Sequence, residues 1–568
     1  MEVSIAQTTS ERVDDLPLIL HWLKEMQVAE ILDRMLPSGH KNRIGLSYGQ
    51  LSVLFLAYIV TQSDHRLSHV ESWVRAHHRT LTSISGWTIE DKDASDDRLA
   101  DLLSVLGNAK NLGTIEEGMS RHLVRAYELP TEVARCDSSS FSVYHERGTG
   151  DSTPPLLNYG YSKDHRPDLL QYRHALGTLD PAGIPLVSAT LPGNETDDSM
   201  YFPFWVGLAS AIGHRDFLYI ADSKAGNCET RAQIHQARGL YCFPLPMTGR
   251  VPERLKQWVL SAPTLEKIVL PDQSDEVRTV GVGFEIPLCS LWQADPKSQW
   301  YRWEERYLVI RSDSFAQKHL TRLEKRLEKS EQALEKLSAK PFSDCCVLKN
   351  KVDAILKQYR SEDYFDITIE TELITRQSSP GRPNLKHPKP QITIEQFKFQ
   401  FQARSIPIEE AKALCGWRIY VTNALKERLS LAQAVTYYRE QWQLEHSFHR
   451  LKRGNLPALP IYLKDEKRIV GLMWLLTIAL RLFTLVEFVV RQQLQAQEQP
   501  QLAGLYAGNP KRTTSNPTTE QLLRAFNGVT LYLLKDGTAE ISLLNPLQKN
   551  ILDLMRIPIS IYRFELAN

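Results

Sequence analysis

The sequence predicts an α/β protein, with a mixed sheet in mid-chain, a helical segment before it and an α+β segment inserted into it. Three observations carry this. The first ~125 residues show helical apolar periodicity with capping signals. From Pro130 the texture changes to short β-type runs separated by Pro, Gly and Asp clusters. Between about 238 and 412 that pattern is interrupted by a strongly helical run.

In the helical segment, Leu16, Ile19, Leu20 and Leu23 line one face after Asp14-Asp15, with Pro17 in the first turn. Ile31, Leu32, Met35 and Leu36 follow, stopped by Pro37 and Gly39. Ser47 and Gln50 form an S-x-x-Q capping box before LSVLFLAYIV, and Ser95 to Leu106 forms another helix. Such a unit suits placement of a helix in a DNA groove, and it equally suits a dimerisation module. The β-type runs are Val133–Val143, Tyr172–Leu179, Pro185–Thr190 and Phe217–Asp222, with a helical stretch at Tyr201–Ile212 before the last.

In the interrupting segment, Phe284–Leu288 and Trp303–Ile310 read as strands leading into a helix from Ser314 to Leu337. There Leu320, Leu323, Leu327, Leu334 and Leu337 recur at three and four spacing, broken by Ser330. Pro341 ends that helix, and Val347, Val352, Ile355 and Leu356 mark a returning one, so a helical hairpin is expected. Gly416–Thr422 reads as a strand, and Ser430 as the N-cap of one helix from Leu431 to about Lys452.

Bulk properties narrow the class without naming it. A chain of 568 residues exceeds one core and suggests roughly three or four domains. With 42% apolar and 24% charged residues it is an ordinary globular composition. A net charge of +1 says nothing about nucleic acid, because cations can gather on one face of a neutral protein. Seven cysteines, an odd number without a C-x-x-C pair, argue against a zinc site or disulfide framework and for a reducing compartment. The N-terminal residues lack a basic start and apolar run, so no secretory signal is expected. Ile469 to Val490 is long enough to cross a bilayer of ~30 Å hydrocarbon. Arg481 and Glu487 interrupt it, and charges in hydrocarbon are costly, so a buried helix is expected, with no membrane partner and a cytoplasmic location.

Asp137 (VARCDSSSF) and Asp222 (FLYIADSKAG) each stand at or just past the end of an apolar β-type run, where a carboxylate can face a hard cation. Strands also end in Asp for turn reasons alone. Tyr438, Gln441, Glu445, Phe448 and Lys452 fall on one face of the expected helix. A phenol, amide, carboxylate and ammonium together suit a wall over a phosphate-handling site, and a solvated amphipathic surface equally.

The segment YYREQWQLEHSFHRLKR resembles the Y-x2-R-x3-E-x6-K signature of a large branch of bacterial insertion-sequence DDE transposases. Tyr438, Glu445 and Lys452 match in register and Gln441 stands in place of the Arg, so either Arg439, one position after the Tyr, partly compensates or the grip on the terminal strand is weaker here. NYGYSKDHRPDLLQYRHAL and LPGNETDD are similar to further family stretches, so the resemblance spans most of residues 15–490. The separations agree: 222 − 137 = 85 and 445 − 222 = 223, the second long because the family places an insertion domain there.

The resemblance implies a ribonuclease-H-like fold, a mixed five-stranded sheet with helices on both faces. It implies that Asp137, Asp222 and Glu445 are catalytic and bind two Mg²⁺ ions, with Mn²⁺ able to substitute. Tyr438, Gln441, Arg439 and Lys452 are the implied DNA phosphate contacts. The implied partners are transposon-end and target DNA, with a homodimer in the DNA complex, in a bacterial, nucleoid-associated setting. The corresponding segments are an N-terminal helical, DNA-binding domain (1–128), a catalytic core in two parts (129–237 and 413–492), an insertion domain (238–412) and a C-terminal region (493–568) for which dimerisation is one reading.

Trp417 lies 445 − 417 = 28 residues before the Glu, a spacing similar to that of a base-stacking Trp in hairpin-forming members; a buried strand tryptophan is the preferred reading. Arg376–Pro390 carries four cations and no acid, and resembles a minor-groove tongue, although a mobile loop is preferred. His165, Arg166 and Arg173 are either DNA contacts or structural. A nuclease of the same fold and a non-catalytic DNA-binding descendant are the alternative functions.

Overall fold

A computed structural model describes residues 9–37, 45–146, 155–261, 263–271, 277–378, 391–533 and 539–563. Along the chain a short strand β1 (Thr9–Arg12) precedes seven helices: α1 (Leu16–Glu25), α2 (Val28–Met35), α3 (Tyr48–Gln62), α4 (Leu67–Ala76), α5 (His78–Ser85), α6 (Asp96–Asn108) and α7 (Leu112–Ala126). Then come β2 (Val133–Val143), β3 (Leu170–Leu179), β4 (Ile184–Pro192), α8 (Tyr201–Ile212), β5 (Leu218–Ala221), α9 (Cys228–Gln236) and β6 (Leu240–Pro244). There follow α10 (Val251–Leu260), β7 (Glu266–Pro271), β8 (Val277–Trp292), β9 (Tyr301–Ser312), α11 (Asp313–Ser338) and α12 (Cys345–Tyr359). The chain continues through β10 (Phe365–Gln377), β11 (Gln391–Ala403), α13 (Ser405–Ala413), β12 (Trp417–Thr422), α14 (Leu431–Arg439), α15 (Trp442–Arg453) and α16 (Glu466–Gln495), with smaller elements after it.

The chain divides into two compact units, the first holding residues 1–243, 290–303 and 437–568, the second 244–289 and 304–436. In the first unit the strands run in the order β4-β3-β2-β5-β6. The β2–β3 and β3–β4 pairs are antiparallel, and β2–β5 and β5–β6 are parallel. This is the mixed five-stranded sheet expected of a ribonuclease-H-like fold.

Alternation along β3 shows helices on both faces. A Cβ at Gly177 would meet Phe204 and Leu208 of α8, whereas His174 and Tyr172 bond to Thr477 and Met473 of α16. The capping box at Ser47 and Gln50 opens α3 as expected, with Gln50 N donating to Ser47 Oγ at 3.1 Å and Ser47 N to Gln50 Oε1 at 3.0 Å.

Helix α16 settles the apolar run at 469–490. It is buried along that run inside the first unit except at Val470, which is half-buried, and both interrupting charges find partners there. The Arg481 guanidinium pairs with Glu116 of α7 and donates to the Pro185 carbonyl at 2.8 Å. Glu487 pairs with Arg450, and with Arg491 at 3.1 Å, and accepts from Thr519 N at 3.0 Å. Such pairing satisfies charges in a protein core, so α16 is a core helix. It crosses α6 closely: a Cβ at Gly471 would lie 2.3 Å from the Leu103 carbonyl oxygen, and one at Gly107 only 1.8 Å from that of Lys467. Gly107 therefore serves this crossing, and α6 runs on to Asn108 instead of ending before the glycine.

His174 joins β3, β4 and α16 as a neutral ring. Thr477 spends its hydroxyl hydrogen on the Met473 carbonyl, so His174 Nε2–H donates to Thr477 at 3.0 Å and Nδ1 accepts from Thr190 at 3.1 Å. Burial pushes this imidazole down to about 3. The unfolded chain takes up a proton near pH 6.5 that the folded chain refuses until about pH 3. The His174 contribution to stability is therefore complete above pH 6.5 and is lost as pH falls. We expect wild-type stability to fall by about 2 kcal/mol from this group between pH 7 and pH 5. In denaturant titrations at the two pH values His174→Gln should flatten that slope; an unchanged slope would show another group is responsible.

The second unit holds strands in the order β12-β9-β8-β7, with β9–β12 and β7–β8 antiparallel. The expected helical hairpin is present as α11 and α12, and its core is completed by an antiparallel pair, β10 and β11. Leu334, Leu348, Val352, Leu356, Phe365 and Phe399 form that core. Ser330, which breaks the leucine seam, is buried and bonded to Ser361 at 2.7 Å. Arg376 is the last residue but one of β10, whereas residues 379–390, with the Gly381-Arg382-Pro383 of the expected tongue, lie outside the described residues.

Candidate active site

The site grows from β2. Its alternation sends Arg135, Asp137 and Phe141 to the α15 and α16 face, and Cys136, Ser138 and Ser140 to the α8 face. In the parallel β2–β5 register Cys136 faces Ala221, so Asp137 is the next residue of β2 and Asp222 the first past the end of β5. Asp222 is also the cap of a short turn of 3₁₀ helix, accepting from Lys224 N at 3.0 Å. One oxygen of Asp222 accepts from the Tyr201 hydroxyl of α8. Burial and then the neighbouring Asp222 push that phenol far above its ordinary range, so it stays a donor.

Burial raises the Asp137 carboxyl; the Lys163 ammonium opposes the rise and Asp222 adds to it. Two carboxylates that repel each other at the end of a parallel strand pair form a site whose natural counterion is a cation. Here Lys163 Nζ lies 3.3 Å from Asp137 Oδ1 and also donates to the Ser138 carbonyl. On the α8 face, Asp197 of the LPGNETDD stretch is buried between Arg173, Lys224 at 2.8 Å and the Ser138 hydroxyl at 2.7 Å. Arg173 is thus buried in a structural ion pair, and Arg166 pairs with Asp168 at 2.8 Å.

The helix expected from Leu431 to Lys452 is two helices. Arg135, held by Asp180 at 2.6 Å, donates to the Tyr437 carbonyl at 2.6 Å. That carbonyl would otherwise accept from Gln441 N in a continuous helix, and Gln441 N bonds instead to Tyr438 O at 3.3 Å. The chain therefore turns at Glu440–Gln441. Tyr438 lies in the last turn of α14, Gln441 caps α15, and Glu445 sits in the first turn of α15. Leu444, Phe448 and Leu451 of α15 are buried, Tyr438 and Gln441 are half-buried, and Arg439 and Glu445 are exposed.

Two contacts lay α15 alongside β2. Glu440 lies 3.4 Å from Arg135, and Lys452 Nζ stands 5.3 Å above the Phe141 ring. Glu445 thus lies between these two anchors along the chain, as Asp137 lies between Arg135 and Phe141 along β2. The Glu445 carboxylate points to solvent, and among the described residues no third acid completes a metal-holding cluster with the two aspartates.

Lys452 pairs with both oxygens of Asp164, at 3.0 and 3.1 Å. Trp417 belongs to the second unit, where it is buried, its indole donating to the Ala413 carbonyl at 3.0 Å. A base-stacking role would require the ring to leave that bond.

A family model described as a transposase DDE domain matches residues 133–482, more than half of the chain. The chain belongs to the DDE transposase family. The match opens on the first residue of β2, closes inside α16 and contains both aspartates and α15. No curated protein matches this transposase. Its family acts on DNA and generally uses divalent metal ions.

The sequence had marked the two aspartates and the α15 residues of this site. It had not marked Lys163, Asp164, Tyr201 or Asp197, although NYGYSKDHRPDLLQYRHAL and LPGNETDD carry three of them. Contacts between segments, not spacing, reveal their part.

Proposed function

We propose that this transposase cuts DNA at transposon ends and joins the freed 3′-hydroxyl to target DNA, with Asp137, Asp222 and Glu445 holding two divalent ions, Mg²⁺ or Mn²⁺. The observation that carries the reading is Asp137 of β2 standing beside Asp222, the residue just past the parallel strand β5, with the Glu445 helix laid alongside β2. The donor set fits a hard cation: all oxygen, two carboxylates in mutual repulsion and an ammonium already drawn to one of them. The third carboxylate, Glu445, is exposed, and among the described residues it forms no ion pair that a cation would have to break. When bound, the ions supply Lewis acidity to the phosphate and a deprotonated attacking oxygen.

The protein's own groups do the rest. Tyr201 orients Asp222 by donating to one oxygen and leaves the other for a cation. Lys452, Tyr438, Arg439 and Gln441 line the course of the DNA strand, where ammonium, guanidinium and neutral donors grip phosphates without reacting. In the first step a water oxygen forms a bond to phosphorus as the bond to the 3′-oxygen breaks, leaving a 3′-hydroxyl and a 5′-phosphate. In the second that 3′-oxygen attacks a target phosphate and displaces another 3′-oxygen, one phosphodiester replacing another. The N-terminal helical segment is the proposed end-binding element, and the DNA complex a homodimer.

The test uses labelled terminal-repeat DNA from the genomic flanks of the gene, with Mg²⁺ or with chelator. Metal-dependent nicking followed by joined products is expected. Cleavage that proceeds in chelator would sink the metal assignment, and cleavage without joining would make the protein a nuclease. Gln441→Arg restores the cation of the family signature and should hold or raise end-binding affinity, by up to about fivefold in low salt. A large loss of binding would show that the helix register is wrong.

A further inference from the structure

Two adjacent residues of the 155–169 loop face the proposed site with opposite charges, each on a site residue of the other sign. Lys163 offers its ammonium to Asp137 at 3.3 Å, and Asp164 takes Lys452 with both oxygens at 3.0 and 3.1 Å. The loop is built to hold them there. Lys163 N donates to Ser140 Oγ at 3.0 Å, Asp164 N to Ser162 Oγ at 3.2 Å, and His165 N to the Ser162 carbonyl at 3.2 Å. His165 itself turns the chain with a φ of +57°, a left-handed conformation costly for a side-chain-bearing residue. Asn158 and Gln171 clamp the loop's base with paired backbone bonds of 3.1 and 3.0 Å.

We propose that Lys163-Asp164 is an exchangeable stand-in for the two ligands of the site: the ammonium holds the place of a divalent cation at Asp137, and the carboxylate the place of a DNA phosphate at Lys452. The inference rests on the reading of Asp137 as a metal ligand given above. Without ligands the dipeptide neutralises both charged groups and keeps both side chains oriented for use. A cation arriving at Asp137 repels Lys163; a phosphate arriving at Lys452 repels Asp164. Because the two residues are neighbours in the chain, displacing one loosens the other. Metal and DNA binding therefore assist each other, and by linkage the assistance is equal in both directions.

The test measures binding, not turnover. Mn²⁺ affinity of the DNA-free protein is read by electron paramagnetic resonance, and terminal-repeat duplex affinity in chelator by fluorescence anisotropy over a salt series. Lys163→Met should tighten Mn²⁺ binding about 3- to 10-fold, and Lys163→Arg, which keeps the charge, should restore wild-type affinity. Asp164→Asn should tighten duplex binding about 3- to 10-fold and steepen the log–log salt slope by about one, because Lys452 is then released to a phosphate. The double variant should lose the mutual assistance. Unchanged or weaker Mn²⁺ binding in Lys163→Met, or unchanged or weaker duplex binding in Asp164→Asn, overturns the proposal. Asp137→Asn separates the two failures. If it abolishes Mn²⁺ binding while Lys163→Met does not tighten it, only the stand-in fails; if Mn²⁺ binding survives Asp137→Asn, the metal-site reading fails and takes the stand-in with it.

Discussion

Asp222→Asn is expected to lower metal-dependent cleavage of terminal-repeat DNA by about 10³-fold or more, equivalent to about 4 kcal/mol of transition-state stabilisation. The fold should survive, because an Asn oxygen at that position can still accept from Tyr201 and from Lys224 N. Asp137→Asn should be as inactive and at least as stable as wild type, since burial already penalises the charged form of that carboxyl. Glu445→Gln should match them in activity loss with no change in melting temperature, its side chain being exposed. Cleavage in metal and in chelator, with a melting curve for each variant, decides the matter. Wild-type cleavage in Asp222→Asn would remove that residue from the metal set, and wild-type cleavage in Glu445→Gln would reassign the third carboxylate.

The largest expected effect on stability lies far in sequence from those residues. Arg481→Met strips the guanidinium from Glu116, a carboxylate buried in the first unit and otherwise held by Ser188 N at 2.8 Å and Ser188 Oγ at 2.7 Å. Burial alone pushes Glu116 toward its neutral form, and Arg481 is the main opposing influence. Removing one partner of a buried pair costs about 3–5 kcal/mol. Replacing both with apolar residues, Glu116→Leu with Arg481→Met, should be less damaging than Arg481→Met alone, because no charge is left stranded. The first thermal transition of the full chain is the measurement, with a drop of roughly 10 °C expected for the single variant. A single variant within about 1 kcal/mol of wild type would mean that Glu116 takes up a proton at little cost.

That pair also explains why the sequence and the structure speak with different authority in different places. Local pattern was enough for the strands: the runs read as Val133–Val143 and the helix read as Tyr201–Ile212 have those same bounds in the structure. Apolar alternation and capping residues act within a few positions, so they are visible one segment at a time. The hairpin β10–β11 was legible in principle, since ITIE and FKFQF alternate, but the helical run beside it dominated the reading. The family signature in α15 supplied Glu445 and Lys452, yet its even spacing suggested a single helix with one continuous face.

From sequence alone, then, come the alternation that makes β2 and β5, the aspartates at positions 137 and 222, and the signature that selects Glu445. Tertiary structure alone decided that the helix turns at Glu440–Gln441, because the Arg135 side chain claims a carbonyl 302 residues away. It decided that the apolar run of α16 is protein core, because the partner of Arg481 lies 365 residues back along the chain. It also decided that Lys163 and Asp164 stand against Asp137 and Lys452. In each case the deciding group is a charge or donor brought in from a distant segment, and neither periodicity nor spacing records where such a group will be placed.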